Sequence, residues 1–181
     1  MPDRLRRDEL LSKIKGFVAE DAVGVTALRG QVSGTRKAVL AFLNVIVLSQ
    51  IPNSDGATFE HWLDDQTERL RQTLPDPKKP WGVARKALNL FLRSCVYNHY
   101  LREANDLDVL EPLLEVPLDS VVGKGLRNES GGALPPWGTL KTLKSEVSRL
   151  FQEHATRLAI ERGLPARVFL DNYLWLDGRS K

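Results

Sequence analysis

A chain of 181 residues that is 42% hydrophobic and 27% charged can build a buried core, and a mean hydropathy of -0.27 excludes a membrane-embedded protein. The formal net charge of +3 and a pI near 9.1 admit an anionic partner such as nucleic acid without demanding one. A single cysteine, Cys95, excludes an intrachain disulfide framework and a thiolate metal cluster, and His61, His99 and His154 lack ligand spacing, so no metal site is expected.

The hydrophobic period is helical almost throughout, and no alternating strand stands out. Asp3 to Val23 reads as a basic amphipathic helix with Leu10, Ile14, Phe17 and Val18 on one face, followed by a turn-rich stretch from Gly24 to Gly34. Thr35 to Ile51 is apolar nearly all round and stopped by Pro52, the expected central buried helix and too short to span a bilayer. Thr58 is the expected N-cap of a helix carrying Phe59, Trp62, Leu63, Gln66, Leu70 and Leu74, which ends at the basic, proline-rich turn 75–80. A long helix is then expected from Gly82 to Ala104, a short one from Asp106 to Leu114, and one capped by Asp119 that runs to Arg127. The stretch 128–136, with Gly131, Gly132, Pro135 and Pro136, reads as a flexible connector or lid. Thr139 to Arg162 is a further amphipathic helix stopped by Gly163, and Pro165 opens a final one. The expectation is an all-α protein of seven or eight helices forming a single domain over 1–181. Its lobes are drawn at 35–127 and at 1–34 with 139–181, around a cleft.

Two stretches point to chemistry. Gly82-Val83-Ala84-Arg85-Lys86-Ala87-Leu88-Asn89 places a lysine one turn into an apolar helix, directly after a tight turn. Helix N-terminal amides at such a turn can hold a phosphate, with Lys78 and Lys79 alongside. Val116-Pro117-Leu118-Asp119-Ser120-Val121-Val122 places a carboxylate at a helix N-terminus, where it stays ionised. A lysine amine attacks only when unprotonated, and an apolar helix surface with Arg85 beside it favours the neutral form. Together the two groups could attack a sugar carbon and steady the cation that forms there.

In these residues the chain resembles the helix-hairpin-helix superfamily of base-excision DNA glycosylases. The first stretch is similar to the family's hairpin, typically Gly-Val-Gly-Arg-Lys-Thr-Ala-Asn, with Ala84 standing for the second glycine; the second is similar to Val-Pro-Val-Asp-Thr-His-Val. The long interval between lysine and aspartate is most like the archaeal branch that removes 8-oxoguanine. The resemblance implies a DNA-repair glycosylase/AP lyase with Lys86 as Schiff-base nucleophile and Asp119 as catalytic carboxylate. It implies backbone binding at Lys78, Lys79, Gly82, Ala84 and Arg85, and double-stranded DNA with a damaged base as the partner. It further implies a cytoplasmic (in a prokaryote, nucleoid-associated) monomer with no cofactor and no membrane. The damaged nucleotide must leave the stack, and Trp81, Trp137, Phe169, Tyr173 and Trp175 are the aromatic candidates to hold it.

Each residue has a plainer role open to it. Lys86 fits a solvated helix lysine, Asp119 a simple N-cap, the tryptophans core packing, Lys78 and Lys79 a soluble turn, and His154 a hydrogen-bonded core histidine. The alternatives to an enzyme are a non-catalytic helix-hairpin-helix DNA-binding protein and a helical scaffold.

Overall fold

A computed structural model of the chain describes residues 2–24 and 26–179, with side chains for 6–24 and 26–176. Among these residues there are eight α-helices, three 3-10 turns and no strand. The α-helices are α1 (Pro2–Ala22), α2 (Thr35–Val45), α3 (Gly56–Thr73), α4 (Trp81–Tyr97), α5 (His99–Ala104), α6 (Ser120–Glu129), α7 (Ser145–Glu161) and α8 (Leu170–Arg179). No helix among the described residues is long and apolar enough to cross a membrane.

Several boundaries differ from the expected ones, each for a local reason. Asp55, not Thr58, caps α3: its carboxylate accepts the Thr58 amide at 2.8 Å and the Thr58 hydroxyl at 2.7 Å. α2 stops at Val45, and Leu48–Gln50 form a 3-10 turn. The expected helix from Gly82 to Ala104 is two, because Asn98 leaves helical geometry and its side chain caps α5 through the Leu101 amide. Leu107–Leu113 is a 3-10 segment containing Pro112, whose ring removes a backbone donor. α7 begins only at Ser145, since Thr139 and Thr142 close a turn of their own ahead of it. α8 begins at Leu170, preceded by a 3-10 turn at Arg167–Phe169.

The central buried helix is α4 rather than α2. Residues 82–92 of α4 are all buried, whereas Val45 at the end of α2 is exposed. On α1, Leu10 and Phe17 face outward, and Ile14 and Val18 make the packing face. The apolar core falls into two clusters. Residues from α1 to Leu114, with Ala166 and Val168, make the first, and Val122, Phe151, Leu158, Leu170 and Leu174 belong to the second. α1 packs against α4 and α2, while α6 packs against α8 and α7. α1 shares its core cluster with α2–α4 and with Ala166 and Val168 of the C-terminal segment. Full burial of side chains such as Phe91 and Phe151 contributes about 1.5–3 kcal/mol each.

Candidate functional site

Lys86 reaches the site from the second turn of α4, in the first core cluster, and Asp119 from the N-terminus of α6, in the second. Lys86 Nζ lies 3.4 Å from Asp119 Oδ2 and donates to the Ala27 carbonyl at 3.2 Å. Asp119 Oδ1 accepts the amides of Val121 at 2.8 Å and Val122 at 3.0 Å, closing the start of α6. Its Oδ2 also accepts from Trp175 Nε1 at 3.4 Å. Both side chains are largely buried, 9% and 15% exposed, and both line an open cavity of about 1130 Å³.

The stretch that carries Asp119 is held from several sides. Gln152 on α7 grips Val116 twice, accepting its amide at 3.0 Å and donating to its carbonyl at 2.8 Å. Arg167 donates to the carbonyls of Leu114 and Leu113 at 3.0 and 3.2 Å. Glu115 accepts two bonds from Arg85 and one from Asn89, all at 2.8 Å. Burial works to raise the Glu115 carboxyl, but the Arg85 and Arg167 guanidiniums and the Asn89 amide together hold the group below its ordinary value. The residue before Lys86 is thereby clamped to the residue four positions before Asp119.

Arg85, expected at the DNA backbone, has its guanidinium buried against Glu115, Asp64 and Thr67. Other residues of the Gly82–Asn89 stretch and of the turn before it are also used internally. Ala84 is fully buried, and Gly82 lies under the 140–143 turn, where an added Cβ would meet the Leu140 carbonyl oxygen at 2.5 Å. Lys79 donates to the carbonyls of Gln72 and Leu74, closing the end of α3. Lys78 is exposed on the turn and does not line the cavity.

Of the five aromatic candidates, Trp137 and Trp175 line the cavity. Trp137 lies over Gly123 of α6, where only a glycine leaves room for the ring, and packs edge-on against Phe151 at 5.4 Å. The others are elsewhere: Trp81 stacks on Arg85, Phe169 packs against Tyr97, and Tyr173 lies under Arg162. The stretch 128–136 is ordered at its start, where the Ser130 hydroxyl donates to the Arg127 carbonyl and accepts the Leu134 amide. His154 is half-buried, and its Nε2 has no hydrogen-bond partner among the described residues.

The cavity wall also includes Arg29, Arg93, Lys141 and Asp171, which pattern reading passed over. Asp171 had a signal, since it falls four residues before Trp175 on one face of α8. Arg29 and Lys141 lie in turns and had none. Chemically, the cavity offers an amine and a carboxylate side by side, two indole faces and cations around them. Comparison with protein-family models, with curated proteins and with solved structures returned no match.

Proposed function

We propose that the protein is a DNA glycosylase/AP lyase of helix-hairpin-helix type, with α3, the 74–80 turn and α4 as the hairpin element and the space between the two core clusters as its DNA cleft. One observation carries the proposal: the amine of Lys86 and the carboxylate of Asp119, distant in sequence, meet at 3.4 Å on the wall of a cavity of about 1130 Å³. A contact longer than the usual 2.7–2.9 Å of a charge-assisted hydrogen bond leaves the pair able to part around a sugar.

In this scheme the Lys86 ammonium first gives a proton to Asp119 Oδ2, and the free amine attacks the anomeric carbon of an extruded nucleotide. The bond from sugar to base breaks, and its electron pair leaves with the base. Asp119 Oδ2 stabilises the oxocarbenium-like sugar and relays the Nζ proton towards the departing base. The C1′–O4′ bond of the sugar ring then opens, O4′ takes up a proton, and the imine so formed permits β-elimination of the 3′ phosphate. Trp137 and Trp175 supply the apolar surfaces that take up the base, and an oxidised purine such as 8-oxoguanine is the favoured lesion.

A non-catalytic DNA-binding role has one observation in its favour, since Lys86 and Asp119 neutralise each other as a structural ion pair would. Borohydride trapping on duplexes carrying 8-oxoguanine, uracil or an abasic site separates the two, with wild type beside Lys86→Ala. An adduct formed by wild type alone supports the glycosylase/lyase. No adduct on any duplex, with salt-sensitive binding retained, supports the binding protein; no adduct and no binding leaves a helical scaffold.

A further inference from the structure

Two of the cations expected to hold DNA at the hairpin are engaged within the protein, Arg85 with Glu115 and Lys79 with the end of α3, and Lys78 is exposed on the turn outside the cavity. The cavity has its own set. Its wall carries Arg29, Lys86, Arg93 and Lys141 against Asp21, Asp119 and Asp171. Two of the carboxylates are matched, Asp119 by Lys86 and Asp171 by Arg93, and Asp21 adds its charge to the field at Arg93. That leaves Arg29 and Lys141. Both are exposed, both line the cavity, and neither side chain has a hydrogen-bond or ion-pair partner among the described residues. They come from two separate connecting segments, the turns before α2 and before α7, one on each side of the chain order from Lys86.

We propose that Arg29 and Lys141 are the phosphodiester-binding residues of this protein, holding the DNA backbone next to the nucleotide that enters the cavity. The assignment rests on DNA being the substrate, as proposed above. An extruded nucleotide stays joined to its neighbours through two phosphates, which must remain near the mouth while the sugar reaches Lys86. Exposed cations there, with no side-chain partner among the described residues, gain most from a phosphate, because none of the described ion pairs has to break first. Long side chains on turns also suit contacts that position a duplex without reading its sequence.

The test is the salt dependence of binding to a duplex with a tetrahydrofuran abasic analogue, followed by fluorescence anisotropy between about 50 and 200 mM salt. Arg29→Gln and Lys141→Gln are each expected to flatten the plot of log K against log salt by about 0.9, and the double variant by about 1.8. Lys78→Gln, on the hairpin turn, is expected to keep the wild-type slope. A wild-type slope in either rim variant overturns the proposal, as does a flattened slope in Lys78→Gln with the rim variants unchanged. Wild type without salt-dependent binding overturns it together with the DNA assignment. Flattened slopes in both rim variants, with no borohydride adduct from wild type, leave the phosphate contacts standing and remove only the catalytic proposal.

Discussion

Asp119 divides its carboxylate between two tasks: Oδ2 faces the Lys86 ammonium at 3.4 Å, and Oδ1 closes the N-terminus of α6 through the amides of Val121 and Val122. The capping bonds hold the carboxylate in place, so the oxygen turned to the cavity is aimed by the fold itself.

The two tasks separate by substitution. Asn caps a helix about as well as Asp, whereas Ala does not. Asp119→Asn and Asp119→Ala both lose the ion pair with Lys86, so the difference between their stabilities isolates the cap and should be about 1 kcal/mol by urea unfolding. On the proposed glycosylase reading, base release, measured in single turnover, should fall by about a hundredfold or more in both. Asp119→Asn retaining wild-type turnover would show that the negative charge is not needed.

The Arg85–Glu115 clamp should dominate stability near the site. Removing one partner of a buried pair strands the other, and Glu115→Ala is expected to cost about 3–5 kcal/mol in chemical unfolding. The pH dependence follows in sign. The folded Glu115 carboxyl is held below its ordinary 4.5, so its contribution is present above about pH 4.5 and is lost as pH falls through the lower folded value. Glu115→Gln should flatten that part of the acid unfolding curve, and an unchanged curve would place the acid sensitivity on other carboxylates.

Gly123 sets the position of Trp137, because a methyl group there would overlap the indole ring. Gly123→Ala should displace the ring from its contact with Phe151, destabilise the protein by about 1–3 kcal/mol and shift the tryptophan fluorescence. The shift is the informative readout, since helix propensity alone would make alanine favourable.

Cys95 is fully buried in α4, and burial pushes its thiol far above the ordinary value. Native protein should therefore resist a thiol reagent at pH 8, and one equivalent should react once it is unfolded in urea. Rapid labelling of the native state would show that α4 opens locally.

The sequence by itself determined the helical class, because apolar residues repeat at helical spacing in nearly every segment and helix stops such as Gly163 lie at the ends. It also marked Lys86 and Asp119 as worth pairing, and placed Asp119 at a helix start, since a cap and a helix face are local features. Local pattern misplaced the start of α3 because Asp55 and Thr58 are both capping residues, and only backbone geometry shows which one accepts and which one donates. Tertiary structure alone decided which charges face the cavity. Arg85 and Lys86 are neighbours in the chain, but successive residues on a helix point about 100° apart, so one turns to Glu115 and the other to Asp119. Gln152, Arg167 and Lys141 join the site or its supports from far along the chain. Their roles come from packing α7, α8 and the connecting turns around α4 and α6, and a pattern with a range of a few residues cannot carry them.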